Sequence, residues 1–357
     1  MSDHTRVLFR LDAGPHLGLG HLQRSLALAT ALKMADAKSI FLINEDAPSH
    51  EKARQHGYRV VSLAAVQSWT AADTKATLEA AAFHGCDAVV VDYHEAGTAY
   101  LASLRDAGLY VIARDDLALN PFPCQMVFNG NADANRLSYC SSSGDTSFLL
   151  GTRYMVIKRE FWKLPRRSLS AEVRNVLVIL GGMDQYDLMP KILNLLDSVS
   201  SDFTVTAVAG PYFHNIDAIQ AAAENATRPI NVVSSPSTVD NLMLEADLAI
   251  SAAGQTLYEL AATGCPTIAV SVAANQKGHL EALAEAGIVL DAGDATGDAD
   301  IMTKLSNKLG SLLSDAEARS AMTAAGQRLV DGQGAQRVAQ TILAEITRQN
   351  GLGLVSI

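Results

Sequence analysis

Val7-Leu8-Phe9, followed by Arg10-Leu11-Asp12-Ala13-Gly14-Pro15-His16-Leu17-Gly18-Leu19-Gly20-His21-Leu22-Gln23-Arg24, reads as a short apolar strand, a glycine loop and the start of a helix. The helix rests on Leu22, Leu26, Ala29 and Leu32, which recur at spacings of three and four and share one face over Leu22–Met34. A strand, loop and helix in that order form the basic unit of an open parallel α/β sheet, where ligands lie beyond the carboxyl ends of the strands. The loop is no dinucleotide fingerprint, because Gly18-x-Gly20 lacks the third glycine and position 23 is Gln. It is no P-loop either, because no Gly-Lys-Ser/Thr closes it.

The same alternation runs outward from this unit. Further strands are predicted at Ile40–Ile43, Arg59–Leu63, Ala88–Val91, Tyr110–Ala113 and Met126–Phe128, with helices such as Ala72–Phe83 and Ala99–Ala107 between them. Ala88–Val91 is apolar without alternation, as expected of a parallel strand covered on both faces. The pattern restarts at Asn175–Leu180, which ends in Gly181-Gly182, and continues through Thr204–Ala209, Ile230–Val233, Leu248–Ser251 and Thr267–Val272. Between the halves, Lys163–Ser170 is polar, basic and broken by Pro165, which predicts a linker. At ~150 residues per domain, 357 residues allow two domains. The expectation is an α/β chain with two Rossmann-type, doubly wound parallel-sheet domains, residues 1–164 and 171–357, facing across a cleft.

Composition narrows the function classes. The formal net charge of −10 argues against a nucleic-acid backbone binder, which needs a basic face. It leaves nucleotides open, because backbone N–H groups at helix N-termini hold single phosphates. No apolar run reaches the ~18 residues of a membrane span, and Asp3, Arg6, Arg10 and Asp12 interrupt any signal-peptide core. A cytoplasmic protein is expected. Cys86, Cys124, Cys140 and Cys265 form no CxxC pair and predict reduced, mostly buried thiols. No His or Cys cluster has metal-ligand spacing, so neither a metal nor a cofactor is expected.

Several segments could carry chemistry. His21 stands at the mouth of the first helix, and an imidazole can accept a proton from water near neutral pH; alternatively it fills the helix start. Asp12 either orients His21 or caps a turn. Asp92-Tyr93-His94-Glu95 and Arg114-Asp115-Asp116 follow two more strands and are either site residues or solvated loop charges. In the second half, Gly181-Gly182-Met183-Asp184 and Ser251-Ala252-Ala253-Gly254-Gln255-Thr256-Leu257-Tyr258-Glu259 each end a strand and open a helix. Small residues there let a phosphate approach the backbone, where the helix dipole adds about half a positive charge. Glu259 could accept hydrogen bonds from a ribose diol, or pair with Thr256 in a capping box. Asn275-Gln276 could hydrogen-bond a sugar.

In order and spacing, these motifs resemble the UDP-2,4-diacetamido-2,4,6-trideoxy-β-L-altropyranose hydrolases of pseudaminic acid biosynthesis, the PseG type. That family belongs to the wider GT-B group that includes the MurG transferases. The resemblance runs from about residue 6 to residue 340. It is carried by Arg10-Leu11-Asp12 with Gly18–Arg24, Asp115-Asp116-Leu117-Ala118, Leu150–Tyr154, Arg159-Glu160-Phe161 and Gly181–Asp184. Gly254-Gln255-Thr256 with Glu259, Gly264-Cys265-Pro266, Asn275-Gln276 and Asp331–Arg337 complete it. The resemblance implies that His21 is the base activating water, with Asp12, Tyr93 and His94 as further catalytic residues. It also implies that Gly182, Gly254, Gln255, Thr256 and Glu259 hold UDP, and that Gly20, Arg10, Asn275 and Gln276 face the sugar. The partners implied are a UDP-sugar substrate and the other enzymes of the same sugar pathway. Two departures stand out: the family's Asp-His-Tyr-Gly reads Asp92-Tyr93-His94-Glu95 here, and Ser251–Gly254 lacks a second glycine.

Three functions are compatible with these residues. The first is hydrolysis of a UDP-activated 6-deoxy diamino sugar, and the second is a glycosyltransferase whose base deprotonates an acceptor hydroxyl. The third, a non-catalytic sugar-nucleotide binder, would need the base to be lost, and His21 is present.

Overall fold

The structure, a computed structural model, describes residues 4–14, 20–63, 66–92 and 95–353. It divides into two compact units, Met1–Arg159 with Gln333–Ile357, and Glu160–Gly332. The first holds β1 (Arg6–Leu11), β2 (Lys38–Asn44), β3 (Arg59–Leu63), β4 (Ala88–Asp92), β5 (Tyr110–Arg114), β6 (Met126–Asn129) and β7 (Ser147–Leu150). These pair in parallel in the order β3-β2-β1-β4-β5-β6-β7. The second holds β8 (Asn175–Ile179), β9 (Thr204–Ala209), β10 (Ile230–Ser234), β11 (Leu248–Ala252), β12 (Thr267–Ser271) and β13 (Val289–Asp294), in the parallel order β10-β9-β8-β11-β12-β13.

Both sheets are doubly wound. The direction of strand addition reverses between β1 and β4 in one and between β8 and β11 in the other, and such switch points open a crevice at the carboxyl ends. The strands beside those points are buried on both faces: β4 and β11 are buried along their whole length, which is why their sequences do not alternate.

Two boundaries differ from the sequence expectation. Lys163–Ser170, expected as the linker, belongs to the second unit. Arg167 there donates to the carbonyls of Met243 and Ala246, and Gln327 bonds both the Arg167 N–H and the Pro165 carbonyl. A polar, proline-broken segment reads as linker, yet its polar groups are satisfied by packing. The C-terminal end, expected to finish the second domain, returns to the first unit as the helix Gly334–Gly353. Its Ala335, Val338, Ala339, Ile342 and Ile346 form one buried face, and it packs on the helix Gly20–Met34. Each large aliphatic in that face contributes roughly 1.5–3 kcal/mol by burial, enough to fix the helix there.

The return depends on Gly334. A Cβ at this position would lie 2.1 Å from the Met155 carbonyl oxygen, a backbone atom that cannot rotate away. Gly334→Ala is expected to destabilise the first unit by ~1–3 kcal/mol, read as a melting temperature lower by several degrees. An unchanged melt would show that the helix start is not packed as described.

Candidate functional site

At the first switch point, register places Leu11 of β1 beside Asp92 of β4. The helix after β1 begins at Gly20, whose side is exposed and open, and carries His21, Arg24 and Ser25 on its first turns. Spacings of three and four bring these onto the face over β4. Asp92, only 2% exposed at its side chain, gathers all three. Arg24 donates through Nε to both carboxylate oxygens, at 3.0 and 2.8 Å, and through Nη2 to Oδ1. Ser25 Oγ donates to Oδ2 at 3.0 Å. His21 Nδ1 lies 3.1 Å from both the Asp92 carbonyl and Oδ1, and 2.8 Å from Arg24 Nη2.

The electrostatics follow from this packing. Burial pushes Asp92 up, but Arg24 and then His21 outweigh it and hold the carboxylate far below its ordinary range. Asp92 is therefore an anion at any working pH. Burial and then the Arg24 charge lower the His21 pKa; Asp92 opposes them without prevailing, and Arg114 adds to the lowering. His21 is thus neutral at neutral pH, the form that can accept a proton.

Next to it, Asp115 and Asp116 follow β5. Asp115 Oδ1 accepts from the N–H groups of Leu117 and Ala118 and from the Tyr139 hydroxyl, which makes it a turn-builder. Asp116 pairs with Arg114 and accepts from Asn131 Nδ2 at 2.8 Å. Burial raises Asp116, and Arg114 and Arg24 bring it below its ordinary value.

Two expected roles change. Asp12 accepts from Arg10 Nη1 at 2.7 Å, and the carboxylate found on His21 is Asp92. Arg10 was expected to face the sugar, yet it is 0% exposed. Its guanidinium binds Asp73 through two nitrogens, at 3.0 and 2.6 Å, as well as Asp12 and the Leu11 carbonyl, and lies over the Trp69 ring. Arg10 thus ties the end of β1 to Asp73 and Asp12. Tyr93 and His94 lie outside the described residues, as do Pro15–Leu19. The sequence reading missed Arg24 and Asp92 as partners of His21. The available signal was the His-x-x-Arg spacing on the helix; the pairing with Asp92 needed the β1–β4 register.

In the second unit, Gly182, Gly254–Thr256 and Asn275–Gln276 come together at the carboxyl ends of β8, β11 and β12, which are sheet neighbours. The two helix starts differ. Asp184 accepts from the N–H groups of Leu188 and Met189, so the helix Leu188–Asp197 is already capped by a protein carboxylate. The helix Thr256–Thr263 has Gln255 at its N-cap and no side-chain cap hydrogen bond, so the capping-box alternative for Thr256 and Glu259 is not formed. A Cβ at Gly254 would meet nothing within 4 Å. His279 Nε2 lies 2.6 Å from the Ala253 carbonyl and pins this loop from the next helix. Close packing is required on the other side: a Cβ at Gly210 would sit 2.3 Å from the Gly181 carbonyl oxygen. Glu259 is buried, Asn275 is exposed, and Gln276 is half-buried with its Oε1 accepting from the Val272 N–H.

Among the described residues, no group of three or more His, Cys, Asp or Glu side chains is placed to hold a metal ion, and no helix is long and apolar enough to cross a membrane. The cysteines are free: Cys124 and Cys265 are buried, Cys86 half-buried and Cys140 exposed. Burial pushes the Cys124 and Cys265 thiols up to about 12, which makes them poor nucleophiles.

Residues 176–342 match the model of the glycosyltransferase family 28 C-terminal domain. An uncharacterized protein of Methanocaldococcus jannaschii is 24% identical over 277 residues, covering 74% of this chain and 55% of that protein. The pseudaminic acid cytidylyltransferase and UDP-2,4-diacetamido-2,4,6-trideoxy-β-L-altropyranose hydrolase of Helicobacter pylori is 29% identical over 180 residues, covering 50% of this chain and 32% of that protein. The chain therefore spans about half, or less, of the length of these relatives. In three dimensions, MurG of Acinetobacter baumannii superposes with a TM-score of 0.69 at 16% identity, covering 95% of this chain and 99% of MurG. The chain has the GT-B fold, and residues 176–342, most of them in the second unit, are similar to the glycosyltransferase family 28 C-terminal domain.

Proposed function

We propose that this protein hydrolyses a UDP-activated 6-deoxy-2,4-diacetamido sugar to UDP and the free sugar, with His21 as the general base. The observation that carries this reading is the buried Asp92 carboxylate, which accepts from Arg24 and Ser25 and stands against His21 Nδ1. Nδ1 faces two acceptor oxygens of Asp92, and Arg24 already directs Nε and Nη2 into the same carboxylate. A proton on Nδ1 fits that surrounding and makes Nε2 the basic atom. Nε2 takes a proton from water, the water oxygen bonds to the anomeric carbon, and the bond from that carbon to the diphosphate oxygen breaks. UDP leaves with the electron pair. The uncapped helix start at Gly254–Thr256 stabilises the departing diphosphate through backbone donors and the helix dipole, and Glu259 takes the ribose. Asn275 and Gln276 contact the sugar. The Helicobacter pylori relative motivates the diacetamido sugar class, with work beside the other enzymes of that sugar pathway, in the cytoplasm.

A glycosyltransferase is the second reading, favoured by the family 28 domain match over residues 176–342. The same base would then deprotonate an acceptor hydroxyl. Incubation with UDP-sugars and no acceptor separates the two. Release of UDP over many turnovers supports hydrolysis, and release only after a hydroxyl acceptor is added rejects it.

Glu259→Ala probes the nucleotide side. Loss of a hydrogen bond to a charged group costs ~1.5–3 kcal/mol, so UDP affinity should fall about tenfold to a hundredfold. An unchanged UDP titration in the folded variant would remove Glu259 from the site.

A further inference from the structure

The amino-terminal edge of the first sheet, where β1, β2 and β3 begin, holds a pocket of about 500 Å³ lined by Arg6, Lys33, Lys38, Ser39, Tyr58 and Arg59. His21 follows the other end of β1, which at ~3.3 Å per residue puts the length of a six-residue strand between the two places. Four cations converge here on a chain of net charge −10. Among the described residues, none of the four has a carboxylate within ion-pair distance, although other surface cations such as Lys277 and Arg105 do. Arg6 Nη1 donates to the His84 carbonyl, and Asp87 takes the Arg6 backbone N–H rather than its guanidinium.

One further observation points to an occupant. Phe83 also lines the pocket and is 79% exposed, a flat apolar face that a ring can cover. Guanidinium and ammonium donors suit phosphate oxygens, and the volume falls in the range of small-molecule sites.

We propose that this pocket binds a soluble nucleoside diphosphate, with Arg6, Lys33, Lys38 and Arg59 around the diphosphate and Phe83 against the base. Like charges held together without a counter-ion repel one another. Binding an anion is therefore favoured at low salt and weakened as salt screens the pocket.

The test uses the full chain with ADP as probe, and reads acetylation of individual lysines by a lysine-directed reagent. ADP is expected to slow labelling of Lys33 and Lys38 at least fivefold, with Lys191 and Lys308 unaffected. Lys38→Gln with Arg59→Gln should weaken that protection at Lys33 about tenfold or more. The double variant should melt no lower than the unmodified protein, since it removes repulsion and breaks no ion pair. Equal labelling with and without ADP overturns the proposal. So does protection by phosphatidylglycerol vesicles alone, which would assign the cations to a lipid surface.

Discussion

His21→Asn is expected to lower turnover by about 10²–10⁴-fold, the usual contribution of a general base. The substitution keeps a hydrogen-bonding group of similar reach towards Asp92 and removes the proton acceptor. UDP affinity should barely move, because the nucleotide is assigned to the second unit. If His21 only fills the helix start, the pattern reverses: the melting temperature falls and activity per folded molecule survives. Turnover and thermal unfolding measured on one preparation decide between these outcomes.

Asp92→Asn is expected to give the largest loss of stability. Arg24 is largely withdrawn from solvent, with 14% of its side chain exposed, and Asp92 is its carboxylate partner. Removing one member of a buried pair costs ~3–5 kcal/mol, because the remaining charge is left uncompensated. A drop of about 2–4 °C per kcal/mol in the melting temperature follows for a unit of this size. The pH dependence supplies an independent readout. Asp92 is the group that raises the His21 pKa, while burial, Arg24 and Arg114 lower it. Removing the Asp92 charge therefore moves the His21 pKa further down, and the acid limb of the pH–rate profile should shift to lower pH. An unaltered melt together with an unshifted limb would contradict the coupling described here.

The interior of both sheets is legible in the sequence, as are the edge strands β3 and β10, whereas the edges β7 and β13 are not. Ala88–Val91 is wholly apolar and Leu248–Ser251 apolar up to its closing serine because both are covered on both faces, and both are strands extended by one residue. β7 and β13 escaped because edge strands need no such run: Val289–Asp294 includes Asp291, Gly293 and Asp294 and is only partly buried. The final helix shows an apolar face at helical spacing, but nothing in that periodicity says which sheet it covers. The site divides in the same way. His21 stands out by its loop, whereas its partner Asp92 lies 71 residues away and joins it only through the pairing of β1 with β4. Asp12 looks closer in sequence, yet Arg10, rising inside β1 with no exposure, claims that carboxylate. Sequence distance misassigned the orienting group because strand register, absent from local pattern, decides it.

We propose that Asp92 and Arg24 hold His21 as a neutral base with its proton on Nδ1. Nitrogen-15 NMR of the histidine ring, titrated alongside kcat/KM, tests it directly. The expected result is an Nδ1–H tautomer whose pKa lies below 6.5, the ordinary histidine value, and coincides with the acid limb of kcat/KM. A proton on Nε2, or a His21 pKa above 6.5, would contradict the account.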